Sequence, residues 1–334
     1  MTKLAQNGRL APPAFATHHY YNLRDIRMHT VELGEGPTVI LCHGFPELWY
    51  AWRHQISALA AAGFRVVAPD LRGYGETTVS WSIGDYSPQN QCADVLALMD
   101  CLRLHGSDRP VVIGHDWGSV LAWNLALHYP DRVRAVAGLN APGMQTLQVT
   151  ENLLELLRPD PGIWDYHFYF QEPGVAEAEL EAQVSRFHTL IRRSSDPSDE
   201  FDILADFHNV RQRGGLLVGY PDTPRRSAIM TEEDLGYYVE QFRRTGLRGA
   251  LNYYRVYDEH CAWAAEVVNQ RVELPVLVVT CGKDPVMTPD LTDGMEATAS
   301  KLTRCHLENC SHWSMEERPE EVNAALLSWL TCVP

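Results

Sequence analysis

Val111-Val112-Ile113-Gly114-His115-Asp116-Trp117-Gly118-Ser119 is an apolar run that stops at one glycine, presents a carboxylate, and resumes after a second glycine. The pattern is G-x-nucleophile-x-G, in which a strand turns sharply into a helix and lifts one side chain above the sheet. Here that side chain is Asp116, where a hydrolytic serine often stands. Gly114 and Gly118 suit the turn because backbone and helix approach too closely there for a β-carbon. A carboxylate at a helix N-terminus is also electrostatically stabilised. Asp116 is therefore either a nucleophile that forms an ester with an electrophilic carbon or a plain helix N-cap.

Three other segments supply what a carboxylate nucleophile needs. Leu41-Cys42-His43-Gly44-Phe45-Pro46-Glu47 has the H-G-x-P form of an oxyanion loop, and the backbone N–H groups of Phe45 and Trp117 are the expected donors. His43 reads as a brace rather than a catalyst, and Pro46 as a candidate for a cis peptide bond. Glu308-Asn309-Cys310-Ser311-His312-Trp313 lies between the last expected strand and the final helix, the loop on which folds with this nucleophile turn carry their histidine, so His312 is the expected base among the 14 histidines. Cys281-Gly282-Lys283-Asp284-Pro285 places Asp284 just past a strand, as the acid that orients the histidine. The chain order Asp116, Asp284, His312 is that of nucleophile, acid and histidine. The other place for the acid holds Asn140, which carries no charge. Asp284 before a proline also has a simple turn-forming reading.

These residues need a frame that gathers strand ends. Short apolar runs alternate with segments of helical period, the pattern of a parallel sheet with crossover helices. Strands are expected at Thr38–Cys42, Arg65–Pro69, Pro110–Gly114, Val133–Leu139, Pro275–Thr280 and Thr303–Leu307, with an antiparallel pair near Tyr20–Leu23 and Ile26–Leu33. Helices are expected at Trp49–Ala62, Pro88–Leu104, Trp117–Tyr129 and Pro319–Leu330, with Pro88 and Pro319 in first-turn positions. Between Pro142 and Trp263 the strand rhythm stops and the chain becomes helical, aromatic and charged, as an inserted cap would. The division is then 1–141 with 264–334 as the α/β core and 142–263 as the cap. The polar stretch Arg192–Asp206 is the expected loop between cap helices.

Composition narrows the function classes. With 45% hydrophobic residues in 334, the chain can bury a large core. The net charge of −15, with only Lys3, Lys283 and Lys301 as lysines, disfavours nucleic acid and anionic membranes as partners. The arginine bias suits a GC-rich bacterial genome. No apolar stretch is long enough to span a bilayer, and the polar opening Met1–Arg9 is unlike a signal peptide, so a cytoplasmic location is expected. The eight cysteines then read as reduced thiols. Cys305, His306, Cys310 and His312 crowd a short stretch, but the alternation of Cys305 with Leu307 reads as strand, and no metal or cofactor is expected.

Taken together, His43-Gly44-Phe45-Pro46-Glu47 and Gly114-His115-Asp116-Trp117-Gly118 resemble the soluble α/β-hydrolase epoxide hydrolases, as do Tyr169-Phe-Gln-Glu-Pro-Gly174 and Leu251-Asn-Tyr-Tyr-Arg255. The resemblance covers the whole chain. It implies an α/β-hydrolase fold, with a mostly parallel eight-stranded sheet, flanking helices and an inserted helical cap. It also implies that a tyrosine from each cap segment, Tyr169 and Tyr254, donates to the epoxide oxygen. The alternative for an isolated tyrosine is a packing anchor. A small-molecule epoxide, apolar or aryl, is the implied partner, and a homodimer is compatible with it. Ser119 departs from the glycine or alanine of relatives, and the phosphatase-like domain of vertebrate relatives is not expected. Haloalkane-type dehalogenases share the triad, but Phe45 stands where their asparagine would. A non-catalytic receptor on this fold is the third alternative, disfavoured because every triad member is present.

Overall fold

The computed structural model describes residues 16–142, 154–155, 158–199 and 201–334. The polar opening Met1–Arg9 and the start of the expected cap, 143–153, lie outside the described residues. Eight strands form one sheet: β1 (Thr17–Asn22), β2 (Arg27–Leu33), β3 (Thr38–Cys42), β4 (Arg65–Pro69), β5 (Val111–His115), β6 (Ala135–Leu139), β7 (Val272–Cys281) and β8 (Ala299–Leu307). Their spatial order is β1-β2-β4-β3-β5-β6-β7-β8. β2 runs antiparallel to both β1 and β4, and the remaining pairs are parallel.

Every residue of β3, β5 and β6 is buried. That matches their unbroken apolar sequences, because central parallel strands are covered on both faces. The covering helices include α1 (Arg53–Ala61), α2 (Pro88–Cys101), α3 (Trp117–His128) and a C-terminal helix (Pro319–Leu330). α3 is buried from Trp117 to Leu127 on all sides, which explains why its sequence shows no polar face. Pro88 and the Pro319 of the last helix occupy first-turn positions, where a missing N–H costs nothing.

Several elements differ from expectation for local reasons. Trp49–Trp52 forms a 3-10 turn before α1 rather than the first turn of it. β7 starts at Val272, because a register shift between Val272 and Pro275 accommodates the proline inside the strand. β8 likewise begins at Ala299, earlier than Thr303. Among the described residues between β6 and β7 no strand occurs. The helices there include α4 (Asp165–Tyr169), α5 (Val175–Ala182), α6 (Val184–Ile191), α7 (Glu232–Thr245), α8 (Arg248–Asn252) and α9 (Tyr257–Val267), the last of which spans the expected boundary at 263. No helix among the described residues is long and apolar enough to cross a membrane.

Register is what gathers the candidate residues. Cys42 pairs with Gly114, His115 with Leu139, Leu139 with Val279 and Cys281 with Leu307. The loops after β3, β5, β6, β7 and β8 therefore leave one edge of the sheet, the carboxyl edge where sites form in open α/β sheets.

Candidate active site

The turn after β5 is tight enough to dictate its own sequence. A β-carbon on Gly114 would sit 2.0 Å from the Gly118 carbonyl oxygen, and one on Gly118 would sit 2.1 Å from that of Cys42. Between them Asp116 takes φ 51 and ψ −121, a strained conformation for a residue with a side chain. It is the N-cap of α3 yet its side chain makes no cap bond; the carboxylate faces the loop after β3 instead. The Phe45 N–H donates to Asp116 Oδ1 at 2.8 Å, and the Trp117 N–H also acts on the carboxylate. Burial lifts the Asp116 carboxyl above the usual range, against the pull of His312, His115 and these two N–H groups.

His312 lies in the loop after β8, with Nδ1 2.8 Å from Asp284 Oδ2 and Nε2 3.9 Å from Asp116 Oδ2. Asp284 Oδ1 accepts from the N–H groups of Val286 and Met287 at 3.0 and 2.9 Å, so its turn geometry and its partnership with His312 coexist. Burial opposes charge on both groups, but each outweighs it for the other: the Asp284 pKa is lowered and that of His312 raised. Asn140 donates from Nδ2 to Asp284 Oδ2 at 3.0 Å, and its Oδ1 accepts from Ser314 at 2.6 Å. The uncharged residue at the alternative acid position thus braces the acid itself.

Two histidines in the motifs are structural. His43 Nε2 accepts from the Leu71 N–H at 3.0 Å while its ring packs edge-on against Tyr74, the bracing role expected. His115 carries a role that the motif alone does not show. Its Nδ1 lies 3.1 Å from Glu47 Oε2 and its Nε2 lies 2.8 Å from the His312 carbonyl oxygen. Both partners can only accept, so both ring nitrogens must donate and the ring is an imidazolium. Burial works against that charge, yet Glu47 overrides it and pushes the His115 pKa up to about 9. Burial would raise Glu47, but His115 and then Arg192 hold it down at about 2. Glu47 Oε2 also accepts from the Gly44 N–H at 2.6 Å, and the Phe45–Pro46 peptide is cis. One buried ion pair therefore ties the oxyanion loop, the nucleophile turn and the histidine loop together.

Opposite Asp116 the structure corrects one expected residue. Tyr254 is buried against Phe45 and Trp117, with ring centroids 5.0 and 5.2 Å away. Tyr169 is elsewhere: its hydroxyl donates to Glu179 Oε2 at 2.7 Å, on a carboxylate that also accepts from the N–H groups of Leu216 and Leu217. Tyr166, one turn earlier in α4, occupies the place expected of it. It lines the same cavity as Asp116, Tyr254 and His312, with its ring 5.9 Å from that of Tyr254. Burial first, then neighbours including Asp116, raises both phenols well above their ordinary pKa, so both remain donors. The two cap segments are joined directly: Gln171 Nε2 donates to the Tyr254 carbonyl at 2.8 Å, and Arg255 Nε to that of Phe170 at 2.8 Å. Ile191, Leu204, Phe207, Val286 and Trp313 complete the cavity.

Other expectations resolve locally. Ser119 Oγ donates to the Ala141 carbonyl at 2.6 Å, fixing the backbone behind the turn. Tyr253 donates to the Arg72 carbonyl at 3.0 Å, away from the cavity. His306 turns to Thr280 and Glu308, and no group of three or more metal-ligating side chains assembles among the described residues.

The arrangement offers a carboxylate nucleophile, a histidine base held by an acid, two backbone N–H donors and two phenol donors around one apolar space. Residues 37–319 match the model of the alpha/beta hydrolase fold family. The chain is 42% identical over 98% of its length to the bifunctional epoxide hydrolase 2 of Sus scrofa, and spans 58% of that protein. It thus covers little more than half of the vertebrate relatives it matches. It is 37% identical to epoxide hydrolase A of Mycobacterium tuberculosis, over 94% of this chain and 97% of that one. Among solved structures, epoxide hydrolase A from Mycobacterium thermoresistibile superposes with a TM-score of 0.80 at 34% identity, covering 96% and 99% of the two chains. An epoxide hydrolase from Vigna radiata gives 0.81 at 30% identity, with the same coverage. The chain belongs to the α/β-hydrolase family and, within it, to the epoxide hydrolases.

Proposed function

We propose that this epoxide hydrolase family member converts epoxides to vicinal diols through an ester on Asp116. Supporting this is one juxtaposition: Asp116, with His312 behind it, shares a mostly apolar cavity with Tyr166 and Tyr254. Ring opening needs a nucleophile on carbon and a donor where the alkoxide develops. Asp116 Oδ2 attacks a ring carbon, the C–O bond breaks, and its electron pair goes to oxygen, which takes a proton from a tyrosine. Oδ1 stays with the Phe45 N–H as the ester carbonyl.

Water then attacks Cγ and gives a proton to His312 Nε2, and the oxyanion on Oδ1 meets the N–H groups of Phe45 and Trp117. Losing one such donor typically costs about 3 kcal/mol. Collapse breaks the Cγ–Oδ2 bond. The two water protons end on the departing diol oxygen and on the tyrosinate, so Asp116 is regenerated with one oxygen from water.

Residues 142–263 act as the cap and 1–141 with 264–334 as the core. Phe45, Phe207, Trp313 and the two tyrosines favour an apolar or aryl epoxide. All eight cysteines are free thiols, which suits a reducing cytoplasm. His312→Gln is expected to accumulate an adduct on Asp116 with the mass of a whole epoxide when given a panel of aryl and alkyl epoxides and haloalkanes, read by intact mass and peptide mapping. Normal steady-state diol formation by that variant, or an alkyl adduct from a haloalkane alone, would sink the proposal.

A further inference from the structure

The stretch Ile191–Ser195 leaves α6 and crosses from cap to core, and all of it except Ser194 bonds to the loops that carry the site. Trp313 Nε1 donates to the Ile191 carbonyl at 2.9 Å, and Ser311 Oγ to that of Arg193 at 3.0 Å. The Ser195 N–H donates to Glu317 at 2.9 Å, and its hydroxyl to the Asn309 carbonyl at 3.2 Å. Arg192 reaches the other loop: Nη1 donates to Glu316 Oε2 at 2.6 Å and Nη2 to the Pro46 carbonyl at 3.0 Å.

Arg192 is 1% exposed and lies over the Tyr238 ring at 3.8 Å. Stability alone explains it poorly. Its carboxylate partner Glu316 is shared with Arg53, its Nε has no hydrogen-bond partner among the described residues, and a buried ion pair seldom outperforms apolar packing. What the planar guanidinium does that an apolar side chain cannot is span a carboxylate and a carbonyl at once. That carbonyl belongs to the residue after Phe45. The turn is closed from within by the Gly44 N–H to Glu47 and by the Glu47 N–H to the Gly44 carbonyl; Arg192 closes it from outside.

We infer that Arg192 is a positioning residue for ester hydrolysis: by clamping the Pro46 carbonyl it holds the Phe45 N–H where the oxyanion forms. The inference rests on the function proposed above. The Phe45 N–H already meets Asp116 Oδ1 before alkylation, but negative charge leaves that carboxylate as Oδ2 attacks and builds on Oδ1 when water adds to the ester, so hydrolysis is the step in which the donor's position counts most and the step the clamp serves.

The test is single-turnover kinetics with styrene oxide and excess enzyme, following ester by acid quench and mass spectrometry. Arg192→Lys keeps a charge for Glu316 but loses the fork to Pro46. Ester formation within about twofold of wild type, with ester hydrolysis at least tenfold slower, is expected. Arg192→Met/Glu316→Gln removes the ion pair as a unit, leaves Asp234 near Arg53, and carries the same expectation should the lysine variant not fold. Equal slowing of both steps, or no change in either, overturns the inference while leaving the function intact. Absence of any Asp116 ester in the wild-type protein overturns the function and the inference with it.

Discussion

Raising the pH from 6.5 to 9.5 should cost the folded protein roughly 3 kcal/mol through one buried proton. His115 is inaccessible to solvent and donates from both ring nitrogens, to Glu47 and to the His312 carbonyl. Its pKa rises from an ordinary 6.5 to about 9 on folding. Below 6.5 both folded and unfolded chains hold the proton and the pair contributes in full. Between 6.5 and 9 only the folded chain holds it, so stability falls by about 1.4 kcal/mol per pH unit. For a chain of this length that is a drop of about 4 °C in Tm. Urea unfolding at intervals from pH 6 to 9.5 measures the slope, and His115→Gln/Glu47→Gln removes both charges together while keeping hydrogen-bonding amides. Thiols and exposed groups titrate alike in both proteins; buried His312 feels the His115 charge, so both profiles are taken in a His312→Gln background and their difference reports the pair. Parallel profiles across that window would refute the imidazolium assignment. On the acid side Glu47 has the opposite sign: its contribution is present above 4.5 and fades as pH falls through about 2.

Two further outcomes follow from the cavity. Tyr166→Phe and Tyr254→Phe should each slow adduct formation on Asp116 about 10²-fold, whereas Tyr169→Phe, whose hydroxyl serves Glu179, should stay within about twofold; a slow Tyr169→Phe with a normal Tyr166→Phe would reverse the assignment. Asp284→Asn should slow ester hydrolysis about 10³–10⁴-fold by removing the charge that orients His312, leaving ester formation largely intact in the same quench experiment. A hydrolysis rate within tenfold of wild type would mean that another group holds the histidine.

The central sheet was readable because its signal is one-dimensional. An unbroken apolar run between turn residues, as at Thr38–Cys42 or Arg65–Pro69, can be buried on both faces only inside a sheet, and those two strands have the expected bounds. Gly114 and Gly118 were readable for a similar reason, since the chain's own path excludes a β-carbon there. The choice between Tyr166 and Tyr169 was not of this kind. They lie three apart on α4, and what separates them is Glu179 on the next helix, which captures the outer hydroxyl. Arg192 and Arg193 look like part of a solvated loop for the same reason: their burial depends on Glu316, Pro46 and Asp199, all distant in sequence or irregular in structure. Periodicity reports which face is covered, and says nothing about which polar atom covers it.

Charge at the site also carries a sequence in time. Asp116 must be ionised to attack although burial disfavours it, and His312, His115 and two N–H donors supply the compensation. His312 in turn is raised by Asp284 and, further down, by Asp116 itself. Alkylation turns Asp116 into a neutral ester and deletes that contribution. The His312 pKa must then fall, since burial and the adjacent His115 charge remain to oppose protonation. In the proposed reaction, forming the ester therefore shifts His312 toward its neutral form, the form that can take a proton from water. The charge on Asp116 thus couples the proposed alkylation to the hydrolysis that follows it.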